Sequence, residues 1–221
     1  MSWIAANLPL LGQLTLLHLA QAILPLILGF LLALPLARLA LGRRQGQGRK
    51  SRGLALRRGL IVNGVGLLYV IPSLALFVLM PLILGTSITS PLNVYVALTL
   101  YVLAMMVRSC LDAFQSLPDQ TLQAAQALGY TRLRAFWQVE LPLSLPLLIA
   151  GLRVALVANI SMVSVGAVIG VQSLGTLFTD GLRRNIPAEI MAGLGLILLL
   201  ALTLDSLLAL LGKKVTPWRA A

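Results

Sequence analysis

The side chains that could perform covalent or metal chemistry are few and scattered. The chain of 221 residues has one histidine, His18, one cysteine, Cys110, and six acidic residues. A catalytic site needs a nucleophile, a base or a metal whose groups lie within reach of one another. A single cysteine also excludes an intrachain disulfide and the paired-cysteine spacing of metal sites. We therefore assign no catalytic residue, no metal ligand and no bound cofactor to this chain, and we do not interpret it as an enzyme.

Several polar or helix-breaking residues lie inside apolar segments, where they could line a path for a polar solute. Proline removes a backbone N–H and frees a carbonyl, and Asn and Ser side chains within such segments face protein or water rather than lipid. The same Asn and Ser side chains could equally hold neighbouring helices together by hydrogen bonds. Both interpretations stay open for the candidate path residues, which are Pro72, Ser73, Asn159, Ser161 and Ser164.

The other ionisable residues in apolar segments favour structural interpretations. His18 is interpreted as a packed or interfacial residue rather than a proton relay, because no second titratable group has an evident claim to pair with it. Asp205 is interpreted as a carboxylate that forms local hydrogen bonds near the inner membrane interface. Arg153 either extends its side chain toward that interface or marks a helix that begins later than the apolar pattern indicates.

Composition places these residues in a membrane protein. Hydrophobic residues make up 59% of the chain and charged residues only 10%, whereas a soluble domain has about 25% charged residues. The formal net charge of +11 does not indicate nucleic-acid binding, because long apolar runs separate the basic clusters. The predicted environment is therefore a lipid bilayer, with no nucleic-acid partner.

Five apolar segments are long enough to cross a bilayer, which takes about 20 helical residues. They cover residues 14–41, 60–84, 92–107, 141–170 and 190–211, and the second is interrupted by Pro72 and Pro81. Lipid offers no partner for an unpaired backbone group, and the segments lack the alternating pattern of barrel strands. The predicted fold is an all-α membrane protein with about five transmembrane helices.

Basic residues predict the orientation of these spans, because cytoplasmic loops are rich in Lys and Arg. The loop between the first two spans is the most basic, so we place it in the cytoplasm. Five crossings then put residues 1–13 outside and the tail 212–221 inside. The basic residues of that loop are Arg43, Arg44, Arg49, Lys50, Arg52, Arg57 and Arg58.

The loop 115–140 is too polar to span the membrane and falls on the predicted cytoplasmic side. Pro118 suits the beginning of a helix, and Gly129 suits its end. Thr131 could cap a second, amphipathic helix, which Pro142 is expected to break. The sequence thus predicts a two-helix protrusion below the bilayer.

This segment resembles the cytoplasmic coupling motif of permease subunits of ABC importers. Gln123-Ala124-Ala125 is followed by three residues, Gly129, nine further residues and Val139-Glu140-Leu141-Pro142. The family pattern is Glu-Ala-Ala, three residues, Gly, nine residues and Ile-x-Leu-Pro, so Gln123 and Val139 depart from it. Small alanine side chains would let a groove of another protein approach the helix closely. The resemblance implies that the ATPase-coupling residues are Gln123, Ala124, Ala125, Leu128, Gly129, Val139, Leu141 and Pro142.

Three further segments are similar to permeases for quaternary-amine osmoprotectants, namely glycine betaine, choline and carnitine. They are Tyr69–Leu76 (YVIPSLAL), Leu141-Pro142 with Gly151-Leu152-Arg153, and Gly170–Gly175 (GVQSLG). Permeases for methionine and other small solutes share much of this architecture and remain the alternative. A secondary transporter or channel would need ion-coordinating groups at mid-membrane, which the first three spans do not offer.

The family resemblance implies a type I importer fold, a bacterial cytoplasmic membrane location and a set of partners. The partners are two cytoplasmic ATPase subunits, a second permease chain that is identical or homologous, and an external solute-binding protein. The sequence contains no GxxxxGK[ST] loop. ATP and Mg²⁺ are therefore expected on the ATPase subunits.

Overall fold

The first span begins earlier than predicted. The computed structural model describes residues 2–41 and 52–219, and a short helix α1 (Ser2–Ala6) leads into the 34-residue helix α2 (Leu8–Leu41). Pro9 lies in the first turn of α2, where the missing N–H has no helical partner to lose. Residues 42–51, which carry much of the basic loop used to predict orientation, lie outside the described residues.

The second apolar segment is not one straight helix. It forms α3 (Arg52–Val70) and α4 (Ser73–Leu84), whose axes bend by 105° across Ile71 and Pro72. The break leaves the Ile71 carbonyl free, and the Tyr101 hydroxyl donates a hydrogen bond to it. The prediction that Pro81 also interrupts the segment is wrong, because Pro81 lies within α4, as proline can where neighbouring helices support the backbone.

The centre of the bundle is helix α5 (Pro91–Gln115), which continues well past the predicted end at residue 107. About 61% of its apolar part is buried within the chain, a larger share than in α2, in the span that contains α8 or in α10. It packs against α2 so closely that a Cβ on Gly29 would come within 2.6 Å of Val102 Cγ1. Glycine therefore permits this helix crossing.

The polar loop folds as two short helices that run into the fourth span. These are α6 (Asp119–Ala127) and α7 (Arg132–Ala135), followed by a π-helical turn (Phe136–Glu140) and α8 (Leu141–Val163). The prediction that Pro142 breaks the helix is wrong. Leu141 N–H donates to the Phe136 carbonyl five residues back, and this wider turn lets the helix continue into a segment whose first turn contains Pro142.

After α8 the chain forms a 3₁₀ turn (Ser164–Ile169), helix α9 (Thr176–Arg184), the last span α10 (Pro187–Val215) and a final 3₁₀ turn (Pro217–Arg219). The predicted spans 141–170 and 190–211 leave residues 171–189 as a connection between them, and α9 forms within this connection. Its left-handed C-terminal residue Asn185, with φ of 52°, accounts for the sharp turn into α10.

Contacts between spans fix their relative directions. Gly151 lies against Ser109, and Gly166 against Val94, so α8 runs antiparallel to α5. His18 reaches Ile160, whereas Arg38 reaches Glu140, so α2 is also antiparallel to α8 and therefore parallel to α5.

Because α2 and α5 run in the same direction, the bent α3–α4 pair must return the chain across the bundle. The described residues thus contain four helices that are long and apolar enough to span a bilayer, or five spans if the bent pair counts as one. Leu8 and Val215 lie at opposite ends of the bundle. We call the end that holds Leu41, Leu141 and Val215 the protrusion end, and residues 116–140 the protrusion.

Candidate functional site

Local hydrogen bonds set the shape of the first protrusion helix. Pro118 precedes α6 in an extended conformation, and Asp119 lies in its first turn, where a negative charge is favourable. At the other end Gly129 has a φ of 81°, its N–H donates to Gln126, and Tyr130 N–H donates to Ala125. These two bonds form a Schellman motif, which requires the left-handed conformation that glycine adopts at little cost.

The second protrusion helix begins directly after this turn. The Thr131 side chain accepts a hydrogen bond from Arg134 N–H at 3.4 Å, which confirms the predicted cap. The Arg134 guanidinium stacks over the Tyr130 ring at 5.0 Å and donates to Gln138 at 2.9 Å. The two helices are therefore joined by a defined turn rather than by a flexible loop.

The protrusion exposes three large apolar side chains to solvent. Leu128 is 78% exposed, Leu133 71% and Trp137 57%. Gln123 and Ala124 are exposed beside them, whereas Ala125 is 5% exposed and packs toward the body of the chain with Leu122. Adjacent helical residues point about 100° apart, so Ala124 but not Ala125 is accessible to a partner.

The base of the protrusion is tied to two spans. Phe136 packs against Phe114 of α5, with ring centroids 5.7 Å apart, and under the Arg38 guanidinium at 5.6 Å. Arg38 also pairs with Glu140 at 2.8 Å, and Glu140 is only 6% exposed. Val139, Leu141 and Pro142 are half-buried at this base. The base of the protrusion therefore contacts α2 and α5 and continues directly into α8.

The candidate path residues do not share one environment. Asn159 is buried, and its side chain donates to the Ala22 carbonyl of α2 at 2.6 Å, as an interhelical bond does. Ser164 is half-buried in the 3₁₀ turn, where its backbone lies against Gly175. Ser161 is exposed on the half of α8 away from the protrusion, in line with the exposed Val154 and Val157 and with Val168 in the following turn.

Pro72 and Ser73 lie at the bend between α3 and α4, where Pro72 is exposed and Ser73 half-buried. Tyr69 is 53% exposed nearby, and its ring meets that of Tyr101 edge to face at 6.5 Å. The structure thus separates the exposed Pro72 and Ser161 from the buried Asn159.

Two buried polar side chains of α2 form hydrogen bonds with α8 and with the chain that follows it, in the half of the bundle away from the protrusion. His18 donates through Nε2 to the Ile160 carbonyl at 3.1 Å, and Gln21 donates to the Gln172 carbonyl at 2.9 Å. Both side chains are at most 2% exposed. His18 is therefore a packed residue, as the sequence favours.

An ion pair between the last two spans was missed from the sequence. Arg153 binds the Asp205 carboxylate with both Nε and Nη2, at 2.7 and 2.6 Å. The sequence placed the two residues in different spans and paired Asp205 with local groups instead. An arginine and an aspartate within two apolar segments are the signal that could have suggested the pair, because charges in such segments find partners.

At the end of the bundle away from the protrusion, a second missed pair holds α9 onto α10. Arg184 contacts Glu189 at 2.5 Å and Asp180 at 3.9 Å, and Glu189 is only 1% exposed. Arg183 beside it is exposed. This pair fixes the end of α9 against the first turn of α10.

A bundle of helices long and apolar enough to span a bilayer defines an α-helical membrane protein. Residues 53–217 match the family described as "Binding-protein-dependent transport system inner membrane component". The chain belongs to this family. It is therefore an inner-membrane permease of an ATP-driven importer, in which a separate ATPase subunit hydrolyses ATP and a substrate-binding protein takes part.

Sequence and structure similarities to known permeases are consistent with this family. The chain is 38% identical to the osmoprotectant import permease OsmW of Salmonella typhimurium, over 71% of this chain and 74% of OsmW. It is 26% identical to the glycine betaine/carnitine/choline permease OpuCB of Bacillus subtilis, over 90% and 86% of the two chains. A chain of the inward-facing MetNI methionine ABC transporter superimposes with a TM-score of 0.76, covering 96% of this chain and 97% of that one, at 23% identity. That last likeness shows the fold alone.

Proposed function

We propose that this chain forms the translocation path for a quaternary-amine osmoprotectant such as glycine betaine, choline or carnitine. The names of OsmW and OpuCB support this solute class, and so do the Tyr69–Leu76 and Gly170–Gly175 segments. Methionine or another small solute is the alternative, for which the methionine transporter offers only a shared fold. A quaternary ammonium is usually held by several aromatic rings. Since only 5% of the chain is aromatic, tight recognition belongs to the binding protein and the path is weakly selective.

The exposed apolar surface of the protrusion is the observation that carries the coupling role. Leu128, Leu133 and Trp137 stand clear of the spans, and exposed apolar surface of this kind marks a protein contact. Ala124 lies beside Leu128 on the same helix and adds no bulk. A groove on the ATPase subunit fits this surface. Gln123 presents a neutral amide there, which can donate and accept hydrogen bonds but form no ion pair.

The coupling movement is a rigid-body displacement. ATP and Mg²⁺ would be held by the ATPase subunits and would supply the energy for their closure. When two ATPase subunits approach each other, each would carry a protrusion with it. Helix continuity from Arg132 through the π-helical turn into α8 transmits the shift into the fourth span, and the Arg38–Glu140 pair transmits it to α2. The path then opens alternately to the two sides of the membrane.

The charge distribution supports a cytoplasmic protrusion. Arg38, Arg132, Arg134, Lys213 and Lys214 lie at the protrusion end, whereas Arg183 and Arg184 lie at the other end. Basic residues collect on the cytoplasmic side. In this orientation the N-terminus lies outside and the C-terminus inside.

A second permease chain completes the path. Val154, Val157 and Ser161 on α8 and Val168 in the following turn are exposed along one line, and exposed apolar surface of this kind is available for a protein contact. Ser161 and Pro72 face the path in this assembly, and Asn159 holds α8 to α2.

The test of the solute class uses the external binding protein that works with this permease. Thermal-shift screening should show stabilisation by glycine betaine, choline or carnitine, and vesicles containing the whole transporter should take up the same compound when supplied with ATP. Stabilisation and uptake of methionine instead would reject the osmoprotectant assignment. Deleting residues 119–138 should abolish the stimulation of ATPase activity by the loaded binding protein, while the chain still inserts into the membrane.

A further inference from the structure

A cavity between the last two spans has no place in the transport mechanism described above. It has a volume of about 590 Å³ and lies between α8 and α10 in the half of the bundle next to the protrusion. Gly212 closes it on one side, because a Cβ there would already come within 3.0 Å of Ile149 Cγ2. The lining residues are Pro146, Ile149, Ala150, Arg153, Ala209, Gly212, Lys213 and Thr216.

The charges in this α8/α10 cavity favour an anion. Asp205 neutralises Arg153 but uses only two of the five guanidinium N–H groups. In the described part of the chain no carboxylate lies within ion-pair distance of Lys213. Among the residues that the structure describes, the cavity lining therefore carries one positive charge without an ion-pair partner, together with unused N–H donors. These groups repel the ammonium group of a quaternary-amine osmoprotectant, and none of the lining residues supplies an aromatic ring to hold that ammonium.

The remaining wall is apolar. Pro146, Ile149, Ala150 and Ala209 present no polar side-chain atom, and the Thr216 hydroxyl is turned to the Gly212 carbonyl at 2.8 Å. A small inorganic anion would leave this wall without a partner. An amphiphile with an anionic head and a hydrocarbon chain matches both parts of the cavity.

The position of the cavity along the helices also fits a membrane lipid. Lys213 lies in the last turn of α10, and Asp205 lies eight residues earlier, about 12 Å deeper along the helix. Lysine side chains at helix ends reach the headgroup level, and basic pockets between spanning helices on the cytoplasmic side bind anionic lipid headgroups.

We propose that the α8/α10 cavity binds one anionic phospholipid, whose phosphodiester contacts Lys213 and the unused N–H groups of Arg153 and whose glycerol and first methylenes contact the apolar wall. The site lies outside the path and outside the protrusion. It requires a bilayer around α8 and α10 but does not depend on which solute is transported.

The test measures the lipid retained by the assembled permease–ATPase complex. The complex is taken from nanodiscs of equal parts phosphatidylglycerol and phosphatidylcholine and examined by native mass spectrometry. Phosphatidylglycerol should be retained in preference to phosphatidylcholine, and Lys213→Gln should lower its retention about fivefold, the factor expected for one basic residue at a membrane surface. Lys214→Gln is the matched control, because Lys214 is exposed next to Lys213 but does not line the cavity.

A second variant tests the cavity rather than the charge. Ala209→Phe fills the apolar wall while both basic residues stay, and it should also lower phosphatidylglycerol retention, with assembly checked by gel filtration. Equal retention of the two lipids, or equal retention in Lys213→Gln and Lys214→Gln, would overturn the proposal. So would displacement by inorganic phosphate alone, or retention by the isolated chain that is lost once the ATPase subunits or a second permease chain assemble with it.

Discussion

Gly129 determines where the first protrusion helix ends and in which direction the second begins. Its φ of 81° lies in the left-handed region, and no atom lies within 4 Å of the position that a Cβ would take. A side chain at this position therefore meets no steric obstacle, and only the backbone conformation resists substitution. This makes residue 129 a clean probe of the turn.

Gly129→Ala should lower the free energy of unfolding by about 1 kcal/mol and weaken the stimulation of ATPase activity in the assembled transporter. Gly129→Asn should do less harm, because asparagine tolerates the left-handed conformation. Thermal unfolding and ATPase assays measure both effects. Gly195→Ala is the control, since Gly195 lies within α10 with open space around it; a larger loss there than at Gly129 would contradict the role given to the turn.

Variants at Asn159 and Ser161 distinguish a role in helix packing from a role in the translocation path. Asn159→Leu removes the bond to the Ala22 carbonyl and should lower membrane-protein stability by about 0.6 kcal/mol, the average for such bonds. Ser161→Leu should leave stability unchanged and reduce solute uptake, because Ser161 is exposed. Thermal unfolding and uptake are measured on both variants. Undiminished uptake by Ser161→Leu would remove Ser161 from the path.

At the scale of single residues, turns and caps formed by residues close in the sequence could be predicted. Ion pairs between residues far apart in the sequence could not. The Gly129 turn and the Thr131 cap follow from residues within five positions of each other. Arg38 and Glu140 are 102 residues apart, and Arg153 and Asp205 are 52 apart. Their pairing depends on which spans are neighbours, which a single sequence does not determine.

At the scale of elements, the helix from Arg132 through α8 joins the protrusion to the membrane. Its sequence contains a proline where the wider π-helical turn ends. Proline alone predicts a break, and the break is avoided only because the preceding turn has already changed its hydrogen-bond spacing. The bend at Pro72 shows the opposite outcome, since there the freed carbonyl finds a partner in Tyr101.

The Arg38–Glu140 pair should be needed to transmit movement to α2. Glu140→Leu leaves Arg38 without its carboxylate beside a buried position and should lower the free energy of unfolding by about 1–3 kcal/mol. The double variant Arg38→Leu/Glu140→Leu should recover part of that stability, since Arg38 is then no longer an unpaired cation.

In both variants ATPase activity should continue while uptake per ATP falls, because α2 no longer follows the protrusion. Asp112→Asn is the control, an exposed acid on α5 near the same end. Uptake per ATP equal to that of the unaltered transporter would show that the pair transmits nothing.

At the scale of the whole molecule, the parallel arrangement of α2 and α5 requires an odd number of crossings. Hydropathy alone supports four spans, or five if the bent pair is one span. The apolar segments could be predicted from the sequence because their length is set by the bilayer. The 105° bend within the second segment could not be predicted in this way, because it depends on contacts with α5.

The two ends of the chain should therefore be reached from opposite sides of the membrane. Ala5 and Lys214 are exposed, so cysteine at either position, with Cys110 replaced by alanine, should react with a membrane-impermeant maleimide. Ala5→Cys should react in whole spheroplasts and Lys214→Cys only in inverted vesicles. Labelling of both from the same side would show that α3 and α4 form a re-entrant loop instead of a crossing.

The central claim is that the protrusion is held by the ATPase subunit in the cytoplasm. Its most direct test is cross-linking from Ala124→Cys, in the Cys110→Ala background, to the ATPase subunit of the assembled transporter. A cross-linked permease–ATPase species should form at residue 124, whereas Ala125→Cys, which faces inward, should give little. Labelling of residue 124 from the external side, or no cross-link in an assembled and active transporter, would contradict the claim.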